Sequence, residues 1–280
     1  RNISTGLWDY DPNAETITHP GDYLDYIHKE SVVRVVVSGR ATYKIIDGLT
    51  ASIFGSYSYA NRLNRNYFPH DVKSYRVARG EANNSTNLNT NGMASFQLAY
   101  NKTVGKHAIS ALALTEAQRY DYWYNYAKAS GFETDYFTYN NMQAGSTVKW
   151  GDVQSSATQY TLMSYLGRLN YMFDNRYVVT LNARADGSSK LGANHKWGFF
   201  PSASLAWIVT NEGFMKNQHL FNNLKFRVGY GVTGNQDAID PYRSLSLMAP
   251  NGTTTYNGAT VTTYALDSNP NPDLKWETKY

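Results

Sequence analysis

Leu224-Lys225-Phe226-Arg227-Val228-Gly229-Tyr230-Gly231-Val232 carries an apolar residue at every even position and Lys, Arg or Gly at every odd one. Successive side chains of a β-strand point to opposite faces, so this stretch has one oily face and one that is wet or small. Arg176 to Asp186 repeats the pattern, with Tyr177, Val179, Leu181, Ala183 and Ala185 on one side and Thr180, Asn182, Arg184 and Asp186 on the other. The alternation runs through four strand-length segments between Tyr160 and Thr233. Charges set mid-strand on the wet face suit a barrel with lipid outside and a polar lumen inside. The expected fold is all-β, an antiparallel transmembrane β-barrel. Arg168, Asn170, Arg184, Asp186, Lys225 and Arg227 are its candidate lumen-facing residues, with a structural polar network as their plainer role.

Composition agrees with that reading without deciding it. Aromatics make up 15% of the 280 residues, 24 of them Tyr, yet mean hydropathy is −0.52. Wet loops, a wet lumen and aromatic girdles at two interfaces give such a balance. A Tyr- and Asn-rich secreted β-sandwich gives it too. No run approaches the roughly 20 apolar residues of a spanning helix. The net charge of +4 comes from scattered Lys and Arg, so no basic cluster marks a nucleic-acid footprint. The absence of Cys removes disulfides, thiolate metal sites and Cys nucleophiles. Arg1-Asn2-Ile3-Ser4-Thr5 is no signal peptide, and the chain is expected to be an internal piece of a longer protein.

Strands are expected in pairs joined by alternating short and long connections. Val32–Ile46 and Leu49–Ala60 flank Asp47-Gly48, a strong hairpin signal. Met93–Val104 pairs with His107–Tyr120 across Gly105-Lys106, and Tyr160–Phe173 with Arg176–Asp186 across Asp174-Asn175. Trp197–Ile208 pairs with Leu224–Thr233 across a link with room for one helical turn at Asn211–Met215, and Leu274 opens a ninth strand. Asn61–Gly92, Trp123–Gln159, Gly187–Lys196 and Gly234–Asp273 read as long polar loops, and residues 1–31 as one more. Short turns on one side and long loops on the other are the outer-membrane barrel pattern.

Other motifs carry less. Gly229-Tyr230-Gly231-Val232-Thr233-Gly234 spells G-x-G-x-x-G, but no amphipathic helix follows to present amides to a pyrophosphate. Asp9, Asp11 and Asn13 start an EF-hand spacing that Ala14 and Pro20 then break, leaving an irregular calcium loop or a solvated acidic one. The six His form no close pair or H-E-x-x-H, no Ser sits in G-x-S-x-G, and the acids are scattered, so no catalytic, cofactor or metal residue is expected. Formal glycosylation sequons at Asn2, Asn84, Asn101 and Asn251 fit chance in an Asn- and Thr-rich chain. Tyr122, Trp123, Tyr124 and Tyr126 crowd the end of one strand and its loop. They are candidate substrate-facing loop aromatics, against the plainer reading of an aromatic girdle.

Six strings stand in a set order. They are Ser164-Tyr165-Leu166-Gly167-Arg168-Leu169-Asn170-Tyr171, Arg184-Ala185-Asp186-Gly187-Ser188-Ser189, Trp197 to Trp207, Leu224-Lys225-Phe226-Arg227, Tyr230 to Gln236, and Asn271-Pro272-Asp273-Leu274-Lys275-Trp276-Glu277. This set resembles the C-terminal barrel half of the SusC/RagA family of TonB-dependent transporters from Bacteroidota outer membranes, most closely over residues 160–280. Ala41 to Leu49 matches more loosely. The resemblance implies a 22-stranded barrel with an N-terminal plug, a TonB-contacting segment and a SusD-like surface lipoprotein as partner. It also implies import of an oligosaccharide or a peptide, with outer-membrane lipid around the wall. On this reading residues 1–280 are part of one barrel domain of about nine strands, without plug or TonB box, and no bond is made or broken. A secreted β-sandwich adhesin binding glycans through its tyrosines is the alternative. Where Val179, Leu181, Phe226, Val228 and Tyr230 point decides between them: lipid exposure means barrel, mutual packing means sandwich.

Overall fold

The computed structural model describes residues 20–70 and 80–279. The acidic run Asp9, Asp11 and Asn13 lies outside them. A helical turn at Asp22–Asp25 leads into β1 (Ile27–Ile46), β2 (Leu49–Phe68), β3 (Glu81–Val104), β4 (His107–Phe132), β5 (Gly145–Thr147), β6 (Val153–Phe173), β7 (Tyr177–Ser188), β8 (Trp197–Ile208) and β9 (Lys225–Gly231). These make one nine-stranded sheet in the order β1-β2-β3-β4-β6-β7-β8-β9, with β5 paired to β4. Strands β10 (Thr233–Asn235) and β13 (Glu277–Lys279) pair with each other, as do β11 (Leu247–Tyr256) and β12 (Ala259–Ser268).

The short turns are where the sequence puts them. Gly48 has φ +83° in its turn, and a Cβ there would sit 2.5 Å from the Asn101 carbonyl oxygen. Asp174 and Asn175 both have positive φ (52° and 53°), the left-handed pair that a twisted hairpin needs. Several expected boundaries are corrected, among them that of β1, which starts at Ile27 rather than Val32 and so takes the end of the loop expected over residues 1–31. Strands replace much of the loops expected at Asn61–Gly92 and Trp123–Gln159: β2 runs to Phe68, β3 starts at Glu81, β4 runs to Phe132 and β6 starts at Val153. The stretch Gly234–Asp273 holds the β11–β12 hairpin rather than a bare loop. The link after β8 is two 3-10 turns, Val209–Asn211 and Gly213–Met215. Leu274–Trp276 precedes the last strand rather than opening it, because its groups go to the β7–β8 connection: the Gly192 amide donates to the Leu274 carbonyl (2.9 Å) and the Trp276 indole to the Lys196 carbonyl (3.2 Å).

Contacts divide the chain into two units. The first, built on Ser58–Thr90 and Asp121–Thr158, has a small core of Tyr67, Ala82, Ala129, Phe132 and Tyr139 with Met142 against it. Its strands are ribbed with polar pairs: Asn66 donates to the Asn83 side chain (2.6 Å) and Asn84 to the Tyr139 carbonyl (3.1 Å). Lys128 lies 3.3 Å from Asp152 and 3.7 Å from Glu81, two carboxylates on otherwise buried residues. The second unit is built on Val36–Tyr57, Asn91–Tyr120 and Gln159–Tyr280, and strands β6 to β9 give it two unlike faces.

Candidate functional site

Register sets the faces. Arg168 pairs with Asn182 and Asn182 with Ser202, while Arg227 pairs with Ala206, so the even positions of β6, β7 and β8 share a face with the odd ones of β9. All six candidate lumen residues therefore lie on one side. Four of them are held by side-chain hydrogen bonds, three across strands and one, Arg184 to Asp186, along β7. Arg168 donates to Asn182 (2.7 Å), Asn170 to Thr180 (2.7 Å), and Arg184 to Asp186 (2.7 Å) and Ser164 (3.1 Å). Lys225 and Arg227 stand exposed on the same face. The glycines of the G-x-G-x-x-G string fit here as close-packing positions. A Cβ on Gly231 would come within 2.7 Å of Ser202, and one on Gly234 within 2.1 Å of the Phe200 ring. That ring also meets Trp276 edge-on at 5.4 Å, which is why the Gly234 and Trp276 strings belong together.

The opposite face is apolar and bare. Leu181, Leu205, Phe226, Val228 and Tyr230 are 47 to 67% exposed, and Val179 is half-buried on the same face. A sandwich would cover this face with a second layer; among the described residues none does so, and the sandwich expectation fails. Aromatic pairs bound the apolar band. Tyr165 stacks on Trp197 at 5.8 Å near one end, while Trp207 lies opposite Tyr177 and 6.3 Å from the Phe226 ring at the other. Trp197 and Trp207 stand at the two ends of β8, ten residues apart. At about 3.4 Å per residue and a tilt of about 40°, that spacing is about 26 Å along a membrane normal, the height of a lipid-facing band.

The turn end is locked by Glu212, on which the sequence is silent. It accepts from the Tyr177 hydroxyl (2.7 Å) and the Trp207 indole (3.0 Å) and faces Arg176 at 3.2 Å. These hydrogen bonds hold its carboxyl below the usual carboxylate range.

The candidate loop aromatics lie in β4, not in a loop, so the period of two splits them. Tyr122, Tyr124 and Tyr126 share one side, and Trp123 points to the other. Tyr122 donates to Asn87 (2.9 Å), and the rings of Tyr124 and Tyr126 are parallel at 6.5 Å. In the second unit Tyr120 stacks on Tyr160 at 4.5 Å, with the Lys190 ammonium 4.3 Å from the Tyr160 ring. Tyr160 is an even position of β6, so this stack stands on the polar face.

In the first unit, Asp135 gathers three donors: the Tyr67 hydroxyl (2.6 Å), the His70 amide (3.0 Å) and the His70 ring. Desolvation pushes its carboxyl up, but the bonds from Tyr67 and His70 outweigh it and leave Asp135 below its ordinary value. No local motif announces this pin, because its partners are 65 and 68 residues away. Among the described residues no group of His and acids could hold a metal ion.

Comparison with known proteins agrees with this architecture. A family model described as TonB dependent receptor-like, beta-barrel matches residues 3–279. TonB-dependent receptor P3 of Formosa agariphila is 33% identical over 85% of this chain and 23% of its own length. TonB-dependent receptor SusC of Bacteroides thetaiotaomicron is 31% identical over 82% of this chain and 21% of its own. The chain thus spans less than a quarter of the length of these relatives. In fold it is similar to the solved RagAB peptide importer in its open-open state, with a TM-score of 0.81 and 23% identity over 99% of this chain and 30% of that one. An exposed apolar band backed by a bonded polar face, within a matched family, leaves one assignment: the chain belongs to the TonB-dependent receptor β-barrel family, in its SusC/RagA group, and is a stretch of outer-membrane barrel wall from a Gram-negative bacterium.

Proposed function

We propose that the protein containing this stretch imports a large nutrient across the outer membrane, powered through TonB and capped by a SusD-like surface lipoprotein. The observation that supports it is the two-faced wall of β6 to β9, apolar and exposed on one side and hydrogen-bonded and charged on the other. A channel wall for a polar solute needs that division. On this reading Arg168, Asn170, Arg184, Asp186, Lys225 and Arg227 line the lumen, and the first four stiffen it more than they touch cargo. Tyr122, Tyr124 and Tyr126 are the substrate-facing aromatics, while Trp123, on the far side of the strand, is not. The protein moves its substrate without changing it. Oligosaccharide and peptide are the two cargo classes, and the tyrosine row serves either, since sugar rings and peptide side chains both stack on phenol faces.

The test is uptake by cells carrying the full-length protein. Deletion of its gene is expected to abolish growth on one polymer class only, and loss of TonB to abolish that growth too. Tyr124→Ala with Tyr126→Ala is expected to lower uptake about tenfold while the folded protein stays in the membrane. Unchanged growth of the deletion strain on every oligosaccharide and peptide would overturn the reading.

A further inference from the structure

The short-turn end of the second unit carries one connection out of proportion to the rest. Asp47-Gly48, Gly105-Lys106 and Asp174 to Arg176 close their hairpins in two or three residues, whereas β8 and β9 are joined by residues 209–224. The base of this link is closed, because the Val209 and Thr210 amides both donate to the Leu224 carbonyl (2.9 and 3.3 Å). Beyond the base it presents Phe214, Leu220 and Phe221 at 70, 82 and 47% exposure, with Lys216 exposed between them in the chain.

Two observations say what meets those side chains. Tyr177 and Trp207 are cross-strand partners on the apolar face, and Glu212 accepts from both of their polar heads, so the link leaves the sheet on its apolar side. Tyr and Trp at the edge of an apolar band mark headgroup depth, and short turns mark the periplasmic side. The second observation is that the backbone of the link is closed on itself. The Gln218 side-chain oxygen accepts from the Leu220 and Phe221 amides (2.9 and 2.8 Å), and its nitrogen donates to the Phe221 carbonyl (2.7 Å). The Met215 and Lys216 amides donate to the Glu212 and Gly213 carbonyls (3.1 and 3.4 Å). A loop in water can leave its amides to the solvent. A loop set into lipid cannot, because an open amide there finds no other partner.

We propose that residues 212–221 form a foot set into the periplasmic leaflet of the outer membrane, with Phe214, Leu220 and Phe221 below the lipid headgroups and the Lys216 ammonium at their phosphates. The foot continues the lipid-facing band past Trp207, so its occupant is the surface that already meets the band. The inference rests on the membrane placement and not on the transport reading, and lipid contact is read without any uptake.

The experiment is fluorescence quenching of a bimane label on full-length protein, with any cysteines elsewhere replaced by Ser, in phosphatidylcholine vesicles carrying a lipid with a nitroxide just below its headgroup. Labels at Phe214→Cys and Leu220→Cys are expected to be quenched by that lipid about threefold more than one at Thr254→Cys on the β11–β12 hairpin, and to be shielded from iodide. Leu220→Asp with Phe221→Asp is expected to bring the label at 214 down to the level seen at 254, with heat-modifiable migration showing that the barrel still forms. Iodide quenching at 214 and 220 equal to that at 254 would put the link in water and overturn the proposal. Shielding from both quenchers would overturn it as well, since protein and not lipid would then cover the link. So would a label at 214 whose quenching the double Asp variant leaves unchanged. Val228→Cys, in the apolar band, must be quenched by lipid nitroxide in the same way; if it is not, the membrane placement falls and the foot with it.

Discussion

Single residues tie together parts of the chain that no strand pattern connects. Asp135 is the clearest case: it is the acceptor for a fully buried Tyr67 hydroxyl and for both donors of His70. Asp135→Ala leaves that hydroxyl without an acceptor and is expected to cost about 1 to 3 kcal/mol locally. It should appear as faster proteolysis of residues 133–144 with unchanged migration of the barrel. The pin also has a pH dependence. Because the folded carboxyl sits below its ordinary value, its contribution is complete above about pH 4 and is lost as pH falls through the lowered value. Proteolysis of the wild-type loop should therefore accelerate below about pH 4, while Asp135→Asn should show no such step. Nothing local in Thr134-Asp135-Tyr136 separates this acid from a solvated one, so sequence reading passes over it; the same holds for Glu212.

Elements were legible in proportion to how unlike their two environments are. From Tyr160 to Ile208 one side meets lipid and the other does not, and the alternation gives strand, face and register directly. The upper parts of β2 and β3, Asn61–Phe68 and Glu81–Gly92, have polar residues on both sides, so the period of two disappears and Asn, Ser and Thr read as loop. They are strands because side-chain pairs such as Asn66 with Asn83 rib the ladder. The tyrosines of β4 read as loop for the same reason, since Tyr122, Tyr124, Tyr126 and Lys128 on one side and Asp121, Trp123 and Asn125 on the other leave no purely oily side. Turns were legible where backbone geometry demands a residue type. At Gly48 a substitution meets both a left-handed φ and the Asn101 carbonyl. Gly48→Val is expected to destabilise this hairpin by more than 1 kcal/mol and to slow barrel folding in vesicles, whereas Gly39→Ala, with open space around it, should do neither.

For the molecule as a whole the governing fact is which solvent each face meets. Leu205 and Val228 are cross-strand partners in the middle of the apolar band, and Ser204 lies next in the chain on the other side. Leu205→Arg is expected to cost about 2 to 4 kcal/mol of folding free energy in a bilayer, and Ser204→Arg little, as read by urea-dependent folding into phosphatidylcholine vesicles. A buried soluble core would penalise Leu205→Arg as well, so this comparison alone does not separate lipid from protein around the face. Accessibility does. This stretch has no Cys, so in full-length protein with any cysteines elsewhere replaced by Ser, single cysteines along β8 and β9 report one at a time. With spin labels on full-length protein in vesicles, positions 203, 205, 226 and 228 should be relaxed by oxygen dissolved in lipid, and positions 202, 204, 225 and 227 by a water-soluble nickel chelate. Protection of the first set from both reagents would mean that protein, not lipid, covers the apolar face, and would contradict the barrel wall.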